Sequence, residues 1–287
     1  MNQVINKITI SIQGEENSYH HQAALKLAKL RPHLFGGNSL EFIFCSSFED
    51  AFKALKDGRA KLSLMAIENG VHGHIYQVLD LIMSSKPKII ADIYLPIHHQ
   101  LASFGTDLNL ITDVYSHFAV FPQCSNFLDE HLPNAKRHVV EDTAWAADEV
   151  ARKKMPSAAA ICSKEAASAS VLNLIAENIE NFNDNVTRFF LLSLSEPAQQ
   201  IADSECPKTS LILTTKQVSG ALYKALGCFY RENLNLTSLT SRPGDGGAIN
   251  YKFYIEMEAN QSSDAFKKAI NNIKLNSLGE IEVLGSY

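Results

Sequence analysis

The sequence lacks the features that mark membrane-spanning and nucleic-acid-binding proteins. Its 287 residues contain no run of 18 apolar residues, the length that a membrane-spanning helix needs. Lys and Arg number 26 against 31 Asp and Glu, and the formal net charge of -5 disfavours a nucleic-acid-binding surface. The chain also starts without the basic stretch and apolar core of a signal peptide. We therefore expect no membrane or nucleic-acid partner.

Cysteine is scarce and dispersed. The five thiols form no CxxC pair and lie at Cys45, Cys124, Cys162, Cys206 and Cys228. An odd and scattered set is typical of reduced thiols in a reducing compartment. This distribution predicts a cytoplasmic location.

Two catalytic signatures are also missing. There is no P-loop and no recognisable Ser/His/Asp order, so nucleotide and acyl-enzyme chemistry have no support in the sequence. Histidine stops at His138, which leaves the C-terminal part without an imidazole. We predict that this part binds a ligand and does not catalyse.

The first two thirds of the chain alternate short apolar runs with helical patterns. This alternation predicts βαβ units and a largely parallel sheet. The strand-like run from Lys7 to Gln13, for example, leads through a polar turn into a helix that ends near Pro32. We predict an α/β body over residues 1–195, built as two lobes with a cleft in the manner of periplasmic binding proteins.

A polar stretch with prolines near both ends predicts a linker over residues 196–207. The pattern then changes, and residues 208–287 predict the order βαββαβ of a ferredoxin-like fold, with its first strand over Thr209 to Thr215 and its third over Tyr251 to Met257. We therefore predict a separate C-terminal module.

Three histidine pairs invite a metal hypothesis: His20-His21, His72-x-His74 and His98-His99. Adjacent histidines point in divergent directions, and no HExxH motif or set of carboxylates accompanies them. A polar cleft lined by some of these rings is the preferred interpretation, and we expect no metal site.

Two further segments could carry chemistry. Glu68-Asn69-Gly70 follows an apolar strand directly, where a carboxylate and an amide could serve a site or a simple turn. Thr187-Arg188 begins the last strand of the body, and a hydroxyl and a guanidinium there could bind a carboxylate or simply face solvent.

Taken in order, these segments resemble the prephenate dehydratase family over essentially the whole chain. The resemblance is carried by Gly14-Glu15-Glu16-Asn17-Ser18-Tyr19, Ile67-Glu68-Asn69, Leu95-Pro96-Ile97-His98-His99, Tyr115-Ser116-His117, Gln123-Cys124, Thr143-Ala144, Ala166-Ala167 and Thr187-Arg188-Phe189. The C-terminal module resembles the ACT domain through Gly220-Ala221-Leu222 and Ser241-Arg242-Pro243. No chorismate mutase segment precedes the body, so the resemblance is to the monofunctional form.

The sequence departs from the family motifs at several positions. Asn17 stands at a glycine position of the first loop, Gly70 replaces a serine, and Thr240 replaces the glutamate before Ser241. The stretch after His117 also differs from the usual pattern.

The resemblance implies decarboxylative dehydration of prephenate to phenylpyruvate without a cofactor. It implies catalytic roles for Thr187, Arg188, Asn69, Glu68, Ser18 and His99, with Thr187 beside the leaving hydroxyl. Substrate binding is implied for Thr143, Ser163 and Phe189. The effector L-phenylalanine is expected at Gly220, Ala221, Leu222, Ser241, Arg242 and Pro243, between modules of a homodimer or homotetramer.

Two other functions stay open at this point. A two-lobed body is shared with solute-binding proteins, although the C-terminal module and the missing signal peptide disfavour that class. An amino-acid-responsive regulator with a silent body is the second, because Gly70 and the altered stretch after His117 could have removed activity.

Overall fold

The computed structural model describes residues 7–71, 73–195, 207–244 and 251–287. It divides into two compact units. We call residues up to Ile75 together with Ile93–Phe189 the body unit, and Tyr76–Asp92 together with Phe190–Tyr287 the C-terminal unit. Residues 196–206 of the predicted linker, which include Cys206, lie outside the described residues, and so does His72.

The bounds of the regular elements are as follows. The strands are β1 Lys7–Gln13, β2 Ser39–Cys45, β3 Leu62–Asn69, β4 Gly73–His74, β5 Lys88–Pro96, β6 Gln100–Ser103, β7 Asp113–His117, β8 Lys136–Val140, β9 Ala158–Cys162, β10 Asn173–Ala176, β11 Val186–Ser193, β12 Thr209–Thr215, β13 Leu236–Pro243, β14 Tyr251–Met257 and β15 Gly279–Ser286. The α-helices are α1 Tyr19–Leu30, α2 Phe48–Lys56, α3 Tyr76–Ser85, α4 Val120–Gln123, α5 Ser125–His131, α6 Thr143–Lys153, α7 Lys164–Ala169, α8 Ala221–Arg231 and α9 Asp264–Leu275.

The first sheet has the strand order β2-β1-β3-β11-β5, and β4 pairs with β3. Strand β1 runs parallel to both β2 and β3, as the predicted βαβ units require. Its Ile8, Ile10 and Ile12 are buried. The predicted first strand and the helix that ends before Pro32 are thus confirmed.

The second sheet has the order β10-β6-β9-β7-β8. Strand β7 is parallel to β8 and β9, whereas β6 is antiparallel to β9 and β10 is antiparallel to β6. The expectation of largely parallel pairing therefore fails for this sheet. Its two antiparallel strands are short and lack a helical crossover that would mark them in the sequence.

The C-terminal sheet is antiparallel with the order β13-β14-β12-β15. The element order β12-α8-β13-β14-α9-β15 matches the predicted βαββαβ, and β12 and β14 have the predicted bounds. One face of the sheet buries Leu211, Leu213 and Ile255 in a core that α8 and α9 share. The alternating strand period places Tyr254 and Glu256, both buried, on the other face.

Candidate functional site

Thr187, near the start of β11, has its hydroxyl against the side-chain amide of Asn69 at the end of β3. Asn69 Nδ2 donates to Thr187 Oγ1 at 2.9 Å and to Asn185 Oδ1 at 2.8 Å. The other end of this amide, Oδ1, accepts from the Val71 backbone N–H at 3.0 Å, which fixes its orientation. Within the described ranges the Thr187 hydroxyl accepts a hydrogen bond but donates none. Its proton is therefore available to a ligand.

The chain of amides continues from Asn185 to Gln123. Asn185 Nδ2 donates to Gln123 Oε1 at 2.7 Å, and Gln123 Nε2 donates to the Ala119 carbonyl at 2.8 Å. Asn185 is 1% exposed, so bulk water does not compete for these contacts. Each amide donates to the next acceptor in one direction, and the Ala119 carbonyl sets that direction.

His99 closes the other end of this chain. Its Nε2 lies 3.2 Å from Gln123 Oε1, and because that oxygen only accepts, we place a proton on Nε2. Its Nδ1 lies 3.1 Å from the hydroxyl of Tyr19, whose single proton can go either to this nitrogen or to the His98 carbonyl, at 2.8 Å. Burial lowers the pKa of His99, and the Gln123 hydrogen bond and the nearby Glu180 carboxylate oppose that shift only in part. His99 is therefore a neutral ring at pH 7.

Glu180 fixes the backbone at His98 and His99. Its Oε1 contacts His98 Nδ1 at 2.8 Å, and its Oε2 accepts from the His99 backbone N–H at 2.9 Å. The Glu180 side chain is only 2% exposed, whereas that of His98 is 48% exposed. The two adjacent histidines thus have different environments, one fixed in the amide chain and one at the surface.

A second group of predicted residues meets at the loop before α1. Ser18 caps α1, and Ser163 caps α7. The two caps are linked by Gln22, whose Nε2 donates to the Asn17 carbonyl and to Ser163 Oγ, both at 2.9 Å. Asn17 has a φ of 66°, and its backbone N–H donates to His21 Nδ1 at 3.0 Å. The asparagine at the family's glycine position thus adopts the left-handed conformation, which Asn tolerates better than most residues.

Thr143 lies at the first turn of α6, next to a carboxylate that the sequence reasoning missed. Asp142 is the N-cap of this helix and accepts from the Ala144 N–H at 2.6 Å. Gly14 packs directly on it: a Cβ at Gly14 would lie 2.6 Å from Asp142 Oδ2, and its φ of 91° also favours glycine. Burial raises the pKa of Asp142 to about 6, with a smaller contribution from the charge of Glu15.

Three of the predicted site residues lie away from the Thr187 hydroxyl. Arg188 follows Thr187 on β11, so its side chain takes the opposite face, where the guanidinium lies over the Tyr94 ring. Phe189 is 1% exposed and contacts the ring of His20 edge-on, so it belongs to the core. Glu68 precedes Asn69 on β3 and, by the same alternation, points to the other face.

His20 and His21 have structural contacts. His20 Nε2 accepts from the Ala66 N–H at 3.3 Å, and burial lowers its pKa to about 3. His21 packs edge-on against Phe42 and Phe44. Over residues 7–71, 73–195, 207–244 and 251–287, no three His, Cys, Asp or Glu side chains are grouped so that they could hold a metal ion.

In the C-terminal unit, Gly220, Ala221 and Leu222 line a pocket of about 420 Å³. The pocket is completed by residues of β12, the loop that follows it, α8 and β14: Thr215, Lys216, Gln217, Val218, Tyr223, Tyr251 and Phe253. Ser241 and Pro243 pair with Phe253 and Tyr251, and paired residues share a face of the sheet.

Arg242 points to the opposite face. Its Nε donates to Asp80 Oδ1 at 2.6 Å and its Nη2 to Asp80 Oδ2 at 2.5 Å, while its guanidinium stacks over Tyr76. Both partners belong to α3. The predicted set of six effector residues is thus divided between a pocket and an ion pair.

Six residues of these clusters were not predicted to have a role: Asn185, Gln123, Tyr19, Gln22, Asp142 and Glu180. A signal existed for three of them. Asn185 stands two positions before Thr187 and so shares its side of an extended chain. Gln123 and Tyr19 belong to motifs that carried the family resemblance. The contacts of Gln22 with Ser163, of Asp142 with Gly14 and of Glu180 with His98 join segments far apart in sequence.

Comparisons with known proteins agree with this organisation. The family model described as prephenate dehydratase matches residues 10–197. A bifunctional chorismate mutase/prephenate dehydratase of Aquifex aeolicus is 32% identical over 98% of this chain and 74% of that protein. The enzyme of the same description from Escherichia coli K12 is 34% identical over 100% of this chain and 74% of that protein. An arogenate dehydratase/prephenate dehydratase from Arabidopsis thaliana is 30% identical over 98% of this chain and 72% of that protein.

Solved structures extend the similarity to the whole chain. The prephenate dehydratase of Arthrobacter aurescens in complex with L-Phe has a TM-score of 0.84 and 27% identity, and covers 98% of this chain and 90% of that one. A protein described as a novel type of quorum-quenching acylase, GqqA, has a TM-score of 0.81 and 26% identity over 97% of both chains. Within the described residues no helix is long and apolar enough to cross a membrane.

Proposed function

The chain belongs to the prephenate dehydratase family, and we propose that Thr187 and the side chains linked to it form the site of that activity. The family's enzymes are carbon–oxygen lyases of phenylalanine biosynthesis. They convert the prephenate dianion and one proton into the phenylpyruvate anion, carbon dioxide and water. The observation that carries the proposal is the double donation by Asn69, which leaves the proton of Thr187 to face the substrate.

In this mechanism the bond from the ring to the hydroxyl oxygen breaks, and the electron pair leaves with that oxygen. The pair of the bond to the ring carboxylate moves into the ring, which becomes aromatic. Thr187 donates a hydrogen bond to the departing oxygen, and solvent supplies the proton that completes water. A threonine hydroxyl is too weak an acid to do more, so its contribution is orientation and stabilisation of developing negative charge.

The loop around Ser18, the α7 cap Ser163 and Thr143 in the first turn of α6 are proposed to hold the carboxylates of prephenate. Helix N-termini and hydroxyls bind anions well. Asp142 opposes this binding while it is ionised, and its raised pKa reduces that opposition near pH 6. Glu68, Arg188 and Phe189 have supporting positions: Arg188 stacks on Tyr94, and Phe189 fixes β11 in the core.

We further propose that residues 208–287 form an ACT domain that binds L-phenylalanine as an effector. The pocket at Gly220, Ala221 and Leu222 supports this, because it combines aromatic rings with Lys216 and the positive end of the α8 dipole. The Arthrobacter relative was solved with L-Phe bound. A homodimer or homotetramer in the cytoplasm completes the proposal.

The test is direct. The purified chain is mixed with prephenate, and phenylpyruvate is followed by absorbance, with and without L-phenylalanine. A parallel series uses arogenate, whose dehydration product, L-phenylalanine, is measured by chromatography. Turnover that changes with L-phenylalanine supports both proposals. Binding of L-phenylalanine without turnover would instead favour a silent regulator, and no turnover and no binding would favour a solute-binding protein.

A further inference from the structure

We infer that Asn185 is a positioning residue that holds the Thr187 proton toward the substrate by fixing the direction of the amide chain. The inference rests on the proposed function of Thr187. Asn185 touches no reacting atom in this arrangement. It acts through Asn69, which it contacts at 2.8 Å.

The neighbours of Asn185 leave it one possible pattern of donors and acceptors. On one side it faces Gln123 Oε1, which must accept because Gln123 Nε2 is used by the Ala119 carbonyl. On the other side it faces Asn69 Nδ2, which must donate because Asn69 Oδ1 is used by the Val71 N–H. The side chain between them must therefore donate at one end and accept at the other.

A primary amide of this length satisfies both ends, whereas an ionised carboxylate does not. An ionised aspartate has the same shape but two acceptors, so its second oxygen would meet Gln123 Oε1 across a contact that is 2.7 Å for Asn185. Because Asn185 is 1% exposed, no bulk water can bridge the mismatch. Two buried acceptors that face each other without a hydrogen between them destabilise the fold, so the neighbouring side chains would rearrange.

The expected rearrangement reaches Thr187. Gln123 would turn its amide to donate to the aspartate, and this rotation would break its bond to Ala119 and face its NH₂ toward His99 Nε2–H. The Asn69 amide, drawn to a charged acceptor, would also leave the position from which it donates to Thr187. The Thr187 hydroxyl could then donate its hydrogen bond to a protein acceptor instead of the substrate.

Protonation of the aspartate gives the test its discriminating readout. A protonated carboxyl donates through O–H and accepts through C=O, which is the pattern of the original amide. Burial without a cationic partner raises the pKa of a carboxyl, so this form is reached at mildly acidic pH. The Asn185→Asp variant should therefore recover as the pH falls.

The experiment compares kcat and KM of wild type and Asn185→Asp from pH 8 to pH 5, expressed as the ratio of variant to wild type at each pH. The ratio corrects for wild-type titration, including that of Asp142. We expect kcat of the variant to be about 10²-fold lower at pH 8, the size of one lost catalytic hydrogen bond, with KM changed far less. The ratio should rise at least fivefold toward pH 5.

Two variants complete the design. Asn185→Ala cannot be rescued by protons, so its kcat ratio should stay low at every pH. Asn178→Asp makes the same chemical change in an exposed asparagine that accepts from Gln100 Nε2, and its ratio should stay near one. Circular dichroism and melting confirm that each variant folds.

A kcat ratio for Asn185→Asp that is near one at pH 8, or equally low at every pH, would overturn the inference while leaving the proposed function intact. A loss confined to KM would also overturn it, because that result assigns Asn185 to binding. If wild type itself shows no turnover of prephenate, the proposed function fails first and this inference fails with it.

Discussion

The hydrogen-bonded series around Thr187 and the ion pair at Arg242 use polar side chains in opposite ways. In the body unit, Thr187, Asn69, Asn185 and Gln123 form a largely buried series in which each donated hydrogen has one acceptor. In the C-terminal unit, Arg242 and Asp80 form an ion pair whose side chains are 25% and 49% exposed. The buried series depends on every member, whereas the exposed pair is screened by water. Substitutions should therefore have large effects in the first region and small effects in the second.

The largest effect is expected at Thr187. Replacement by valine keeps the shape but removes the hydroxyl, and hydrogen bonds to developing charge typically contribute about 10²–10³ in rate. We expect Thr187→Val to lose about that factor in kcat, measured by phenylpyruvate absorbance. Thr187→Ser keeps the hydroxyl and is the matched control, with a loss of less than tenfold. Near-normal turnover by the valine variant would remove Thr187 from the mechanism.

The next largest effect, on the binding of L-phenylalanine, is expected at the pocket lined by Gly220. Gly220 has a φ of 77°, and a Cβ there would meet nothing within 4 Å, so Gly220→Ala tests backbone conformation alone. The left-handed conformation costs a residue with a Cβ about 1–2 kcal/mol, which predicts roughly tenfold weaker binding of L-phenylalanine by titration calorimetry.

Gly227 lies in the same helix and provides the control for Gly220. A Cβ there would approach only Arg231 Nη1, at 3.7 Å, so Gly227→Ala fits the helix and should slightly stabilise it. Its affinity for L-phenylalanine should equal that of wild type. Equal affinity in both variants would mean that the loop at Gly220 does not form the effector site.

The same contrast explains what the sequence could predict. The C-terminal unit is built from elements with local signals: β12 and β14 were predicted to the residue because alternation and turns are visible within a few positions. The series through Asn185 joins segments more than 50 residues apart, and neither period nor spacing shows that Gln123 and Asn69 meet there. Family resemblance supplied Thr187 and Asn69, but not the geometry that divides Arg188 and Phe189 from them.

A smaller effect is expected from Asp142, which is intermediate between the two regions because it is only partly buried. Its pKa is raised from 3.8 to about 6, so between these pH values Asp142 is protonated in the folded state and ionised in the unfolded state. The contribution of Asp142 to the free energy of unfolding is therefore fully present below pH 4 and is lost as the pH rises through about 6. An ionised Asp142 also repels the prephenate dianion, so KM should fall as the pH falls from 7 to 5.

Asp142→Asn tests both consequences of this titration. Asparagine keeps the N-cap of α6 and removes the titration. The variant should have a KM a few-fold lower than wild type at pH 7 and nearly equal at pH 5, the range that one screened charge allows. Its melting temperature relative to wild type should rise between pH 4 and pH 7. A KM difference that is the same at both pH values would place Asp142 outside the binding region.

The smallest effect is expected at the ion pair. Exposed pairs contribute about 0–1 kcal/mol, so Asp80→Asn should barely change the melting temperature. The pair joins β13, which flanks the pocket, to α3, which follows Asn69 in the chain, and so it can carry part of the coupling between effector and turnover. We expect the maximal change in kcat caused by L-phenylalanine to shrink by about twofold to fivefold, the factor that about 0.5–1 kcal/mol gives. The affinity for L-phenylalanine should stay within twofold, because Arg242 lies on the face away from the pocket.

Glu282→Gln breaks the similarly exposed Lys86–Glu282 pair of the same unit and is the matched control, with no change expected in either the response of kcat or the affinity. A tenfold loss of affinity in Asp80→Asn, with the response at saturation intact, would instead place Arg242 in the binding site, as the sequence motif implies.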